Sequence, residues 1–198
     1  MDKERFDRQM AFIREIDKEK LIKRQSYLTD CTTHENDAEH AWHMAIMTLL
    51  LKEYANEEID VLKTMSMLLI HDLVEVYAGD TYAYDEEGKK TQKEREHKAA
   101  DKLYSLLPED QCEYLKSLWT EFEEQKTPEA KFARTMDCFQ PLILNDATDG
   151  KAWKEHGVRK SWVMQRNENT HLGSEDIWQY AYDNLIEPNV DKGNIIDD

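Results

Sequence analysis

The chain has 198 residues, 40% of them hydrophobic and 34% charged, a size and composition that suit one compact domain with a real core. Its 42 acidic and 26 basic residues give a formal charge of −16, which repels nucleic-acid polymers and anionic membrane surfaces; a small phosphate ester fits only where basic residues converge. No stretch approaches the roughly 20 apolar residues that span a bilayer, the N-terminus lacks an apolar signal region, and Cys31, Cys112 and Cys138 show neither CxxC spacing nor an even count, so a soluble cytoplasmic protein with free thiols is expected.

Six glycines and four prolines are few, and apolar positions recur mostly at three- and four-residue spacing, which predicts an all-α fold. A first helical stretch is expected over residues 3–22, with Phe6, Met10, Ile13, Ile16 and Leu21 broadly on one side. A polar loop follows over residues 29–37. Asn36 with Glu39 resembles a capping box and opens a helix through Met44, Met47, Leu50 and Leu51, which puts His40 in its first turn. The next helix is expected over residues 59–77, stopped by Gly79. Thr91 with Glu94 caps another that ends near Leu107-Pro108, so residues 79–90 form a loop of active-site size.

Residues 109–125 read as a helix in which Trp119 and Phe122 suit a core or a dimer contact, as do Met44, Met47, Met65 and Met67. Thr127-Pro128 is a cap with proline at the first helical position. It opens the helix carrying Asp137, which Pro141 should kink or end. After a polar stretch at residues 145–150, shorter helices are expected over 158–166 and 174–186. The domain is expected to occupy residues 1–188, with 189–198 a flexible tail.

His71-Asp72 lies inside the apolar run from Met65 to Val74, where unsatisfied polar groups cost about 1–3 kcal/mol each. A metal ion partners both at once. Glu75 follows one helical turn after His71, and Asp80 comes just past Gly79, giving a histidine and three carboxylates within ten residues. Such an N/O set suits Mn, Fe, Co, Ni or Zn. Among His34, His40, His43, His97, His156 and His171, His40 is preferred as the second histidine because its helix should pack beside that of His71, with His43 the competing choice. Asp137, between the apolar Met136 and Phe139, is the matching carboxylate. Arg24 belongs to a basic run with Lys18, Lys20 and Lys23 that is either a solvated face or a phosphate contact. Lys89, Lys90, Lys93 and Arg95 read as a solvated helix start. His34-Glu35 has no histidine at zinc-protease spacing, and no GxSxG, P-loop or GxGxxG is present, which removes serine hydrolases, P-loop NTPases and dinucleotide enzymes.

The pattern His40, His71-Asp72, Asp137 resembles the H…HD…D signature of the HD-domain metal-dependent phosphohydrolases. Arg24, Glu39-His40, His71-Asp72-x-x-Glu75-x-x-x-Gly79-Asp80, Lys93-Glu94-Arg95-Glu96, Leu106-Leu107-Pro108-Glu109 and Thr135-Met136-Asp137 are similar to the 5′-deoxynucleotidase branch, over roughly residues 20–140. The resemblance implies a helical HD bundle in which His40, His71, Asp72 and Asp137 hold one divalent cation (Mn, Co, Fe, Ni, Zn or Mg). It implies that Glu75 and Asp80 act on the attacking water and the departing group, and that Arg24 contacts the substrate phosphate. Gln25 stands where the best-known bacterial members commonly have tryptophan.

The expected function is release of phosphate from a deoxynucleoside 5′-monophosphate by a homodimer. The rivals are an HD hydrolase of another nucleotide (a deoxynucleoside triphosphate, guanosine alarmone or cyclic nucleotide) and a non-catalytic nucleotide-binding module, against which the presence of both Glu75 and Asp80 argues.

Overall fold

Helix α1 (Lys3–Glu15) starts at Asp2, whose carboxylate accepts from the Arg5 N–H. In the computed structural model, which describes residues 1–198, its buried residue is Phe12, while Phe6 and Ile13 of the expected apolar side are exposed. A 3-10 turn (Ile16–Leu21) leads into β1 (Lys23–Tyr27), which pairs antiparallel with β2 (His34–Asn36). This small hairpin replaces part of the expected loop. It matters because Arg24 and Glu35 lie on its two strands.

Helix α2 (Asp37–Leu51) opens with the expected capping box: Asn36 and Glu39 each accept from the other's backbone N–H at 3.0 Å. The helix expected over residues 59–77 is broken. α3 (Val61–Ile70) ends at His71, tight turns carry residues 71–74, and α4 (Glu75–Ala78) follows. The His71 ring bonds the Leu68 carbonyl at 2.8 Å, an acceptor that the next helical turn would otherwise use, and side-chain competition of this kind ends helices. Gly79, at φ 75°, then ends α4 in a conformation that favours glycine.

α5 (Glu86–Tyr104) starts before the expected Thr91, because the Asp85 carboxylate caps it through the N–H groups of Glu87 and Gly88. The loop after Gly79 shrinks accordingly. α6 (Glu109–Glu124) buries Leu118, Trp119 and Phe122. α7 (Pro128–Ala147) runs past Pro141 rather than ending there. An internal proline costs about 3 kcal/mol, and burial of Phe132, Met136, Phe139, Leu142 and Leu144 around the same helix outweighs it. α7 is the central rod, packed by α2, α3, α6 and α10.

α8 (Lys151–His156) and α9 (Lys160–Arg166) follow, then α10 (Glu175–Ala181), a π turn (Tyr182–Ile186) and α11 (Glu187–Asp191). Residues 189–198, expected as a flexible tail, are docked in this structure. Ile195 is buried in the core, and the backbone of Ile196 bonds Val158 and Lys160 at 2.9 and 2.8 Å. The three cysteines are unpaired, and no helix is long and apolar enough to cross a membrane.

Candidate metal centre

Three elements converge on one buried point. α2 brings His40 from its first turn, the break after α3 brings His71 and Asp72, and the middle of α7 brings Asp137. His40 Nε2 lies 3.2 Å and His71 Nε2 3.9 Å from Asp137 Oδ1, and His71 Nε2 is 3.1 Å from Asp72 Oδ2. One ligand atom from each of His40, His71 and Asp72 falls within 4.8 Å of the others. His43, the competing histidine, is turned instead toward Gln140.

Tautomers decide what this point can hold. His71 Nδ1 meets a carbonyl, which can only accept, so the proton sits on Nδ1 and Nε2 presents its lone pair to carboxylate oxygens. His71 Nε2 is buried without a hydrogen-bond partner. Lone pair facing lone pair demands positive charge between them. Without a cation a proton on Nε2 supplies that charge: burial opposes a charged His71, yet Asp72 outweighs it and raises the ring to about 9, whereas burial and Arg24 push His40 down to about 4. Two imidazole nitrogens with two carboxylates form a donor set that fits a divalent transition ion.

Asp137 is held from behind. Arg134 Nη1 and Arg166 Nη2 donate to its Oδ2 at 2.6 and 3.0 Å; burial works against its charge, but these two guanidinium groups keep the carboxyl well below its usual range. Arg24 is nearly buried and donates through Nη1 to Asp72 at 2.9 Å and Asp37 at 3.3 Å, while its Nε lies 3.6 Å from Glu35. The basic-run reading as a solvated face therefore fails for Arg24.

Glu75 opens α4 and points into the same site with Oε2 unpartnered. Burial, then the negative charges of Asp72, Asp37 and Asp80, raise its pKa well above the carboxylate range. Asp80, half-buried on the loop, is also raised, chiefly by burial. Arg95 pins that loop by donating to the Ala78 carbonyl and to Thr81 Oγ1, so it is a strut and not part of a solvated helix start. Arg24, His71, Asp72, Glu75, Asp80 and Asp137 all line one cavity of about 860 Å³, which also takes in Gln25 and reaches Trp153, Trp162 and Arg166 from beyond residue 150.

Sequence reasoning missed Glu35, Asp37, Arg134, Gln140 and Arg166. Helical spacing carried a signal for three of them: Asp37 precedes His40 by three residues, and Arg134 and Gln140 stand three on either side of Asp137, so each shares its ligand's face. Glu35 and Arg166 had none, since they arrive through a hairpin and a late helix.

The HD domain family model matches residues 16–178. A 5′-deoxynucleotidase of Bos taurus is 30% identical over 68% of this chain and 64% of its own length, and one of Homo sapiens is 29% identical over 68% and 65%. The chain thus spans just under two thirds of those relatives. A crystal structure from Magnetospirillum magnetotacticum, described as a predicted metal-dependent phosphohydrolase, superposes with a TM-score of 0.91 at 44% identity, covering 96% of this chain and 95% of that one.

Proposed function

This chain belongs to the HD domain family, and on that footing we propose that it is a metal-dependent 5′-nucleotidase acting on deoxynucleoside 5′-monophosphates. The observation that carries the reading is the buried Nε2 of His71, 3.1 Å from Asp72 Oδ2 yet without a hydrogen-bond partner, set with His40 and Asp137 beside a cavity whose lining includes the further carboxylates Glu75 and Asp80. His40, His71, Asp72 and Asp137 would hold one divalent cation. Such a cation offsets the negative charge of the phosphate and of the surrounding carboxylates, and it acidifies water beside it.

The remaining chemistry falls to the chain's own groups. Glu75, buried and with one oxygen free, would accept a proton from the attacking water as the water oxygen bonds to phosphorus, once a bound cation offsets the burial and negative charges that raise its pKa. Asp80 donates a proton to the 5′ oxygen as the P–O ester bond breaks, and burial raises its pKa in the direction this needs. Arg24 fixes Asp72 through Nη1 and lines the cavity, where its charge attracts the phosphate. Gln25, the next residue, also lines the cavity, where it would meet the sugar. The 5′-deoxynucleotidases of Bos taurus and Homo sapiens support the substrate class.

A phosphate-release panel on metal-reconstituted protein tests this. Deoxynucleoside 5′-monophosphates are expected to be the best substrates. Preference for triphosphates, alarmones or cyclic nucleotides would change the substrate, and binding without turnover of any nucleotide would make the protein a binding module.

The functional unit is proposed to be a homodimer. Trp42, Ile46, Leu49 and Leu50 form an exposed stripe along α2 at helical spacing, and α3, packed on α2, adds Leu62 and Leu69. A symmetric partner is the simplest cover for such a face.

A further inference from the structure

Gln140 is fully buried on α7, one turn after Asp137, and its amide is committed on both sides. Its Nε2 lies 2.6 Å from Glu35 Oε1 and 3.2 Å from His43 Nδ1. Glu35 is itself buried, and a carboxylate must be met by a donor, so the NH₂ end has to face it. That leaves Gln140 Oε1, a pure acceptor, 2.8 Å from His40 Nδ1. With Glu35 ionised, the orientation of this amide follows from its partners.

We infer that Gln140 is the positioning residue of the metal centre: it takes the His40 Nδ1 proton and thereby turns the Nε2 lone pair toward the cation site, with Glu35 holding the amide in the one orientation that does so. The inference rests on the proposed ligand role of His40. His71 needs no such device, because the Leu68 carbonyl does the same work from the backbone. His40 is followed by a continuing helix whose backbone ladder takes up the Asp37 carbonyl one turn back, so a side chain from another helix serves its ring.

The arrangement continues past Glu35. Its Oε2 lies 3.6 Å from Arg24 Nε, and Arg24 Nη1 bonds Asp72. A run of polar groups therefore links two proposed ligands, from His40 through Gln140, Glu35 and Arg24 to Asp72. It joins α2, α7, the β1–β2 hairpin and the turn after α3. This gives the hairpin a purpose: it delivers Glu35 and Arg24 to the back of the centre. Groups that orient ligating histidines in this way typically alter metal affinity or activity by about 10- to 100-fold when lost.

The test depends on the order of donors and acceptors, which a purely structural role would not read. Metal-free full-length protein is titrated with Co²⁺ as wild type, Gln140→Leu, Gln140→Glu, Glu35→Gln and the double swap Glu35→Gln/Gln140→Glu. Gln140→Leu is expected to weaken Co²⁺ binding by about 10- to 100-fold. Gln140→Glu sets two carboxylates face to face and should weaken it comparably. Glu35→Gln keeps an acceptor in place and should change little. The double swap restores the order, with the residue 35 amide donating to the residue 140 carboxylate and that carboxylate accepting from His40, and should recover most of the affinity. In Zn²⁺-loaded protein, a slowly exchanging His40 Nδ1–H proton signal is expected in wild type and the double swap and absent in Gln140→Leu. Wild-type Co²⁺ affinity in Gln140→Leu, or a double swap no better than Gln140→Glu alone, would overturn the assignment, and the swap decides it even where Gln140→Leu fails to fold. His40→Ala, run alongside, separates the two readings: undiminished Co²⁺ binding there would overturn the ligand role and this inference together.

Discussion

Asp80 and Asp137 carry opposite expectations although both are acidic and line the same cavity. Asp137 contacts both imidazoles, so Asp137→Asn should lose the cation and activity together. Asp80 sits on the loop away from the histidine cluster, so Asp80→Asn should keep stoichiometric metal while turnover falls by about 10²- to 10⁴-fold, the usual share of one general acid. Metal analysis and phosphate release on the same samples check this, and loss of metal in Asp80→Asn would count against its role as proton donor. Gln25→Trp should shift the deoxy-to-ribo preference, since position 25 lines the cavity beside Arg24; an unchanged ratio would remove it from the sugar site. At this scale the clustering of His71, Asp72 and Asp137 was legible because each is a polar residue among apolar neighbours, and that of His40 because its apolar helix should pack beside that of His71. Of the residues behind them, Glu35 and Arg166 were not legible, because they arrive through a hairpin and a late helix.

Among the elements, the break between α3 and α4 separates what periodicity can read from what it cannot. The pattern through residues 59–77 is helical throughout, and nothing in it marks the tight turns at 71–74 that let His71, Asp72 and Glu75 face one point. The Asn36 capping box, the Thr127-Pro128 start of α7 and the Ser174 start of α10 were legible, since side-chain caps are written locally. The β1–β2 hairpin was too short and polar to show alternation, and α7 continues past Pro141, which the sequence left as a kink or an end, because burial around α7 is a tertiary effect. The C-terminal segment gives a direct test. Ile195 is a core residue, so Ile195→Ala should cost about 2–5 kcal/mol in chemical denaturation, whereas a change within 0.5 kcal/mol, typical of surface sites, would mean that the segment is not docked.

For the whole molecule, a net charge of −16 surrounds a cavity that draws its cations from Arg24, Arg134, Arg166 and two lysines at its rim. Carboxylates outnumber these cations in the lining, so on the proposed reading a phosphate ester would enter with the divalent cation in place. The apolar stripe on α2 lies outside that cavity, so Trp42→Glu with Leu50→Glu should yield a monomer by sedimentation without loss of bound metal; a wild-type chain that sediments as a monomer would contradict the dimer. The proposed metal-dependent hydrolysis has one decisive measurement: phosphate released from a deoxynucleoside 5′-monophosphate by the metal-stripped protein as a divalent cation is titrated back. It predicts no release from the stripped protein and activity rising to a plateau at one cation per chain. Full activity in the stripped protein, or none with one cation bound, would contradict it.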